Sequence, residues 1–254
     1  MYLRNYFTFL FALHSCVLCY ANSRFRIVGG ELSSIEATPY MVSIYFDEKH
    51  ECAGSLVSME KVITAAHCLQ DRPARLFMVQ AGVTNRVRET GQCRAVEKTY
   101  IPSTYKANTR NMDIAAIKVS EPFCESPQVS KIPICSTELT PTTPMQVSGW
   151  GSISERRRDH VAKLRTTVVP IIATSDCANK YRRIRKCLTK TMLCAGLGGS
   201  DACYGDSGAP GVVGGELCAV VSFGRGCGRS EFPGVYTNIT NKNVLKFIEK
   251  LPNF

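Results

Sequence analysis

The stretch from Asp201 to Pro210 combines a hydroxyl nucleophile with flexible neighbours, as acyl-transfer chemistry requires, and its centre reads Gly205-Asp206-Ser207-Gly208. A serine hydroxyl is a weak nucleophile at neutral pH. A reactive one therefore needs a base for its proton and backbone amides for the negative charge that develops. Flanking glycines let the backbone turn sharply, so the amides of Gly205 and Ser207 can point at one oxyanion. We predict Ser207 as the nucleophile and these two amides as the oxyanion hole; the alternative is a glycine-rich surface turn.

The base is sought among the four histidines of the chain. His14 lies in an apolar leader, and His50 and His160 lie in charged segments typical of loops. His67 directly follows the apolar run Val62–Ala66 and precedes a cysteine. Elimination therefore favours His67 as the base, and the alternative is a buried structural histidine.

Asp113 opens the apolar segment 114–119. Burying a carboxylate without a hydrogen-bond partner is costly, so this position calls for one. We predict that Asp113 orients His67; the alternative is a carboxylate that serves only a strand end.

Short strand-like runs between Gly, Pro, Asn and Ser clusters indicate an all-β sandwich or barrel, and 44% hydrophobic residues provide ample core material. The clearest runs are Tyr40–Phe46, Val62–Ala66, Leu76–Ala81, Ile114–Val119, Met145–Ser148, Val168–Ile172 and Leu217–Phe223. Residues 241–251 have helical spacing, which predicts a C-terminal helix with Val244, Ile248 and Leu251 facing inward.

Four motifs occur together in this chain: IVGG at 27–30, TAAHC at 64–68, DIA at 113–115 and GDSG at 205–208. With them, everything from Ile27 onward resembles the secreted chymotrypsin/trypsin-like serine proteases. The resemblance implies two six-stranded antiparallel β-barrels with a C-terminal helix. It also implies that His67 and Asp113 come from the first barrel and Ser207 from the second, in the cleft between them.

The N-terminal segment is predicted to be removed. The apolar run from Tyr6 to Tyr20 predicts a signal peptide over residues 1–21, because it is too short and too interrupted for a comfortable membrane anchor. Residues 22–26 would form an activation peptide, and residues 27–254 the peptidase domain. The resemblance implies that an activating protease cuts between Arg26 and Ile27, and that the new amino group pairs with Asp206. The expected product is a secreted zymogen with no membrane partner.

The resemblance also assigns a specificity pocket. It places Asp201 at the pocket floor and Gly224 and Gly234 at the walls, and it implies that Ser222 to Gly224 bind the substrate backbone. A buried carboxylate attracts a basic side chain, so cleavage after Arg or Lys is expected. Ala202 lacks a hydroxyl that would help lysine more than arginine, which favours arginine.

Cysteine usage supports an oxidising compartment, because eleven of the thirteen cysteines follow the leader. The resemblance implies the pairs Cys52–Cys68, Cys177–Cys194 and Cys203–Cys227. Five cysteines have no assignment at this stage, and the odd number leaves at least one unpaired: Cys93, Cys124, Cys135, Cys187 and Cys218.

A net charge of +10 reflects basic runs such as Arg156-Arg157-Arg158 and Arg182–Lys186, which we interpret as solvated faces. Contact with acidic glycans or nucleic acid is the alternative, and no nucleic-acid partner is expected. No cofactor or metal is expected either, because Val83 stands where the resemblance implies an acidic calcium ligand.

Three functions remain open from the sequence. An active endopeptidase is favoured, with polypeptide substrates and with protein inhibitors as partners. A catalytically inactive homologue acting as a binding or cofactor module is the second. A chymotrypsin-like specificity is the third, and Asp201 argues against it.

Overall fold

A computed structural model describes residues 30–155 and 157–252 of the chain. The predicted signal peptide, the activation peptide with Arg26, and Ile27 lie outside the described residues. Short strands dominate the described part, as the sequence predicts. The strands are β1 (Glu31–Leu32), β2 (Met41–Phe46), β3 (Lys49–Leu56), β4 (Lys61–Thr64), β5 (Phe77–Ala81), β6 (Gln92–Tyr100), β7 (Ala115–Val119), β8 (Pro144–Gly149), β9 (Ser152–Ser154), β10 (Arg157–His160), β11 (Arg165–Ile172), β12 (Met192–Ala195), β13 (Pro210–Val213), β14 (Glu216–Phe223) and β15 (Gly234–Asn238). The α-helices are α1 (Ala66–Leu69), α2 (Thr174–Arg182) and α3 (Lys242–Glu249), and 3-10 turns occupy Ile35–Ala37 and Ala74–Leu76.

The first barrel closes in the order β2-β3-β4-β7-β6-β5, with every neighbouring pair antiparallel. Its strands β2, β3, β4, β5 and β7 are buried along most of their length, and β6 has mostly exposed or half-buried residues. Val42, Ile44, Val62, Val79 and Ile117 are fully buried there.

The second barrel runs β8-β11-β12-β15-β14-β13 and closes where β13 returns to β8. All of its pairs are antiparallel as well. Strand β1 adds to the outside of β11, with Glu31 opposite Thr166, so the beginning of the described chain is fixed to the second barrel. The fold class expected from the sequence, two six-stranded antiparallel barrels, is confirmed.

The two barrels share one continuous hydrophobic core. A close backbone contact joins them at the Ser207 loop, where the Ala53 amide of β3 donates to the Ser207 carbonyl oxygen at 2.8 Å. Gly208 makes this approach possible. A Cβ at that position would overlap Thr64 Oγ1 and the Ala53 carbonyl oxygen, and its φ of +81° is unfavourable for any side chain.

The C-terminal helix α3 begins at an Asn241 cap, whose side-chain oxygen accepts from the Asn243 amide at 3.0 Å. Val244 is fully buried, Leu251 is 7% exposed, and Ile248 packs half-buried against the core. The predicted helix and its inward face are therefore confirmed. The helices of the described ranges are too short for a bilayer crossing.

Four disulfides link eight of the eleven described cysteines. Three are the pairs that the resemblance implies, Cys52–Cys68, Cys177–Cys194 and Cys203–Cys227. The fourth, Cys135–Cys218, joins the segment between the barrels to β14 and accounts for two of the five unassigned cysteines. The other three are unpaired and exposed: Cys93, Cys124 and Cys187.

Candidate active site

His67 lies on the single turn α1, immediately after β4 of the first barrel. The disulfide of its neighbour Cys68 to Cys52 ties this turn to β3. The His67 side chain is 16% exposed, so one edge of the ring reaches solvent while the rest is enclosed.

Asp113 is fully buried just before β7 and uses both carboxylate oxygens on His67. Oδ2 lies 2.8 Å from His67 Nδ1, and Oδ1 accepts from the His67 backbone amide at 2.9 Å. An ionised carboxylate can only accept, so Nδ1 carries the ring proton and Nε2 keeps a free lone pair. This pairing explains how an aspartate is accommodated beside an apolar strand.

Ser222 is a third member of this network that the sequence did not assign to it. Its hydroxyl donates to Asp113 Oδ2 at 2.5 Å, and Thr237 Oγ1 donates to the Asp113 carbonyl oxygen at 2.7 Å. Burial raises the pKa of the Asp113 carboxyl to about 6. The Ser222 hydrogen bond opposes that rise most strongly, followed by the positive charge of Arg110.

Ser207 and His67 line one cavity, so the structure brings both to the cleft between the barrels. In the Ser207 loop, the amides of Asp206, Gly208 and Ala209 donate to the carbonyl oxygens of Cys203, Val221 and Asp206, respectively. Within the described ranges, the amides of Gly205 and Ser207 make no such bond. Gly205 has a φ of +92°, the left-handed conformation that a glycine tolerates. These are the two amides predicted to bind an oxyanion.

Ala209 follows this loop and is fully buried. It is absent from the residues with positive φ, so its methyl group causes no backbone strain at this position. The side chain packs in the core that joins the barrels. An alanine is therefore compatible with the loop conformation.

The Asp206 side chain does not line the cavity and lies beside Gly149 and Gly151, at the end of β8 in the second barrel. Its Oδ1 accepts from the Gly151 amide at 2.7 Å, and Oδ2 accepts from the Cys203 amide at 2.9 Å. Burial raises the pKa of this carboxyl to about 6, and the two amide hydrogen bonds oppose the rise. No basic side chain of residues 30–155 and 157–252 pairs with Asp206. Its predicted partner, Ile27, is outside those residues.

Asp201 lines the same cavity as Ser207, about 210 Å³ in volume, and is 4% exposed. Its Oδ2 accepts from the Gly228 amide at 3.0 Å. Burial raises the pKa of the Asp201 carboxyl to about 7, while hydrogen bonds from the Gly228 and Ala202 amides oppose the rise. Gly224 and Gly234 also line the cavity. A Cβ on Gly234 would lie 2.7 Å from Asp201 Oδ1, so a side chain there would cover the carboxylate.

The expectation that His50 lies in a loop is wrong. His50 is a buried residue of β3, with Nδ1 2.7 Å from Ser43 Oγ and Nε2 3.2 Å from the Gly205 carbonyl oxygen. Hydrogen-bond partners on β2 and the Ser207 loop make this burial tolerable. Burial lowers its pKa to about 3, assisted by the positive charges of Arg86 and His160. His50 thus supports the loop that carries Ser207.

His160 also belongs to a strand, β10, rather than a loop. Its ring centroid lies 5.0 Å from that of His50, and the rings meet edge to face. A Cβ on Gly205 would contact the His160 ring at 2.7 Å. The two histidines excluded as bases therefore pack beside the loop around Ser207.

Comparison with known proteins agrees with this geometry. The family model Trypsin matches residues 27–248. Trypsin delta of Drosophila melanogaster is 36% identical over 214 residues, which cover 84% of this chain and 84% of the relative. Trypsin alpha of Drosophila erecta is 36% identical over 84% of this chain and 83% of the relative. Seminase of Drosophila melanogaster is 35% identical over 84% of this chain and 78% of the relative. The chain belongs to the trypsin family and is a serine endopeptidase.

Proposed function

We propose that this protein is an active, secreted endopeptidase that cleaves peptide bonds after arginine or lysine. The observation that carries the specificity is the unfilled carboxylate oxygen of Asp201. Oδ1 is buried and has no hydrogen-bond partner among the described residues. A buried acceptor without a partner is costly, and a guanidinium or ammonium group supplies both the donors and the opposite charge. A basic substrate side chain in this cavity completes the site.

Attack on the peptide bond follows from the hydrogen bonds of His67. Because Asp113 holds the proton on Nδ1, Nε2 can accept the proton of Ser207 Oγ as that oxygen bonds to the substrate carbonyl carbon. The carbonyl π electrons move to oxygen, and the Gly205 and Ser207 amides stabilise the resulting oxyanion. Asp113 balances the positive charge on the imidazolium.

Breakdown of the tetrahedral intermediate breaks the carbon–nitrogen bond. His67 gives its proton to the leaving amine, so an acyl group remains on Ser207 and the ring is neutral again. A water molecule then attacks the acyl carbon while Nε2 takes its proton, and the same two amides bind the second oxyanion. Return of that proton to Ser207 Oγ releases the carboxylic acid product.

Zymogen activation is supported by the setting of Asp206. Its carboxyl is fully buried between two backbone amides, and a buried charge without a counter-ion is strongly destabilising. We propose that an activating protease cuts after Arg26 and that the freed ammonium group of Ile27 supplies the counter-ion. The pair would hold the Ser207 loop in its working conformation.

Secretion is supported by the predicted signal peptide over residues 1–21 and by the four disulfides, which form in oxidising compartments. Extracellular polypeptides with arginine or lysine before the cleaved bond are the proposed substrates. Protein protease inhibitors are proposed as partners that occupy the same cleft.

The test uses full-length protein cut at the bond between Arg26 and Ile27. Peptide amides ending in Arg, Lys, Phe or Ala are compared by kcat/KM, with the Ser207→Ala variant as the matched control. Preference for Arg and Lys supports the proposal, and preference for Phe contradicts the role of Asp201. Absence of turnover, together with absence of labelling of Ser207 by an organophosphate, would show an inactive homologue.

A further inference from the structure

Arg110 is a second charged residue of the cavity that holds Ser207 and Asp201, and Phe223 lies on the cavity wall with it. The Arg110 backbone has a φ of +61°, which is uncommon for a residue with a side chain. Its amide donates to the Lys106 carbonyl oxygen at 2.7 Å, so the turn that presents the side chain is hydrogen-bonded.

The guanidinium of Arg110 has N–H donors without a hydrogen-bond partner among the described residues. Its Nη1 is buried and has no hydrogen-bond partner among the described residues. The nearest acid is Asp113, with Oδ2 3.9 Å from Nη1, which is too far for a hydrogen bond. That oxygen already accepts from His67 and Ser222. Nε and Nη2 of Arg110 also have no hydrogen-bond partner in the described part of the chain, and unlike Nη1 they are not enclosed. They are the donors that a ligand in the cleft can reach, because the side chain is 30% exposed.

Lys186 adds a second positive charge on the same wall. Its ammonium lies 3.8 Å from the centroid of the Phe223 ring, in cation–π contact. Burial lowers the pKa of Lys186, and the positive charge of Arg110 lowers it further. Lys186 and Arg110 are therefore close enough to repel each other, and the negative charge of Asp113 offsets that repulsion less strongly than Arg110 produces it. A second anion beside both cations would relieve the remainder.

The surrounding charges leave this wall positive. Among the described residues that line the cavity, Asp201 is the sole acid, and the proposed function assigns it to the basic side chain of the substrate. Asp113 is fully buried and faces His67. A carboxylate of the substrate is the group that fits the unused Arg110 donors, because a guanidinium binds carboxylates through two parallel hydrogen bonds.

We propose that Arg110 and Lys186 form a second specificity site, which binds an aspartate or glutamate at one of the three substrate positions preceding the cleaved arginine or lysine. This inference rests on the proposed function and deepens it. Arg110 supplies hydrogen bonds, and Lys186, held over Phe223, supplies longer-range attraction.

The activation segment of the chain is a poor match for this site. The three residues before Arg26 are Ser23, Arg24 and Phe25. They include one basic residue and no acidic residue for the second specificity site to bind. Repulsion between Arg24 and the positive wall disfavours cleavage of one copy by another. A separate activating protease is consistent with that.

The test compares peptides of four residues that end in arginine and carry a fluorescent leaving amide. In the reference peptide, all three preceding positions are alanine. In the other peptides, one of these positions at a time is changed to Asp or to its uncharged isostere Asn. At one position, we expect kcat/KM for the Asp peptide to exceed that for the Asn peptide by about 5- to 20-fold, the range of a charge-assisted bond at a partly exposed site. The ratio should decrease as salt concentration rises.

Variants of Arg110 and Lys186 test whether these two residues cause the faster cleavage of the Asp peptide. Arg110→Gln and Lys186→Gln should each reduce the Asp-to-Asn ratio towards one, whereas Lys246→Gln, on the exposed side of α3, should leave that ratio unchanged. The ratio is insensitive to a general loss of activity, because both peptides are cleaved by the same protein. Equal rates for Asp and Asn at all three positions, with the alanine peptide cleaved, overturn this inference and leave the proposed function intact.

Binding of the same peptides to the Ser207→Ala variant gives a readout independent of turnover. Tighter binding of the Asp peptide supports the second specificity site even when the wild-type protein cleaves nothing, and only the proposed function then fails. Equal binding of the Asp and Asn peptides overturns the inference.

Discussion

The hydroxyl of Ser222, on β14 of the second barrel, donates a 2.5 Å hydrogen bond to Asp113, which lies just before β7 of the first. The carboxylate that orients His67 therefore depends on a donor from the opposite barrel. Because Asp113 is fully buried, this bond helps to keep it ionised.

Replacing Ser222 with alanine should shift the pH dependence of peptide cleavage. The hydrogen bond stabilises the carboxylate and lowers its pKa, so its loss raises the pKa of Asp113 above the present value of about 6. A bond to a charged group contributes about 1.5–3 kcal/mol. The acid limb of kcat/KM should move up by about one pH unit, so activity should fall about twofold at pH 7 and about tenfold at pH 5. Ser222→Thr, which keeps the hydroxyl, is the control, and an unmoved acid limb contradicts the prediction.

The preference for arginine should weaken in acid. Burial raises the pKa of Asp201 to about 7, so the carboxyl loses its charge as the pH falls through that value. The ratio of kcat/KM for an Arg peptide to that for an Ala peptide should decrease by about tenfold per pH unit well below 7. The ratio cancels the titration of Asp113, which affects both peptides equally. Asp201→Asn should give a low ratio that is independent of pH, and a constant ratio in the wild-type protein between pH 8 and 5 would refute the prediction.

A methyl group on Gly234 should block arginine more than a methyl group on Gly224. The Cβ of an alanine at 234 would lie 2.7 Å from Asp201 Oδ1, whereas one at 224 would lie 3.2 Å from the Gly226 carbonyl oxygen. Gly234→Ala should reduce kcat/KM for Arg peptides about 100-fold through displacement of the bound side chain. Gly224→Ala should reduce it less, and cleavage after alanine should change little in either variant. Equal losses in the two variants would contradict the pocket geometry.

Replacing Asp206 with asparagine should remove a loss of stability that the uncut protein suffers as the pH rises. The pKa of this carboxyl is raised from 3.8 to about 6 by burial. The buried charge therefore costs stability above pH 6, and the cost disappears below pH 3.8, where Asp206 is protonated in both the folded and unfolded states. Asparagine has a single acceptor oxygen, so it loses the hydrogen bond from either the Gly151 or the Cys203 amide at every pH. We expect the effect of Asp206→Asn on the free energy of unfolding to be about 1–3 kcal/mol more favourable at pH 8 than at pH 3.5.

Thermal unfolding of the uncut protein at the two pH values measures this effect. Asp176→Asn, on the exposed first turn of α2, is the matched control for loss of one negative charge. The same Asp206→Asn variant, after cleavage at Arg26, should show low activity because the proposed counter-ion of the Ile27 ammonium group is missing. An equal effect of Asp206→Asn on stability at the two pH values would contradict the account of Asp206.

The pattern of short apolar runs predicted an all-β sandwich or barrel, and the family resemblance narrowed this to two six-stranded barrels. Strands such as β2, β7 and β14 are apolar runs with clear boundaries, and α3 has an asparagine cap and a strong apolar face. Asp113 could be selected because a carboxylate beside an apolar strand needs a partner. These features are local, so they can be recognised in short windows of sequence.

The residues that the sequence missed are defined by contacts between distant segments. His50 lies among charged neighbours in the sequence, but its ring contacts β2 and the Ser207 loop. The Ser222 hydroxyl and the Cys135–Cys218 pair depend on how the second barrel closes. Arg110 is only three residues from Asp113 in the sequence. That its N–H donors lack hydrogen-bond partners and that it lines the cavity can be seen only in the folded structure.

Two contacts join the barrels at the active site: the close backbone approach that Gly208 permits and the hydrogen bond from Ser222 to Asp113. Peptide cleavage should therefore depend on the relative position of the two barrels. A slight separation of the barrels would move Ser207 away from His67 and break the hydrogen bond from Ser222 to Asp113 before the strands of either barrel unfolded. Low concentrations of denaturant should therefore abolish peptide cleavage while circular dichroism still shows intact β-structure.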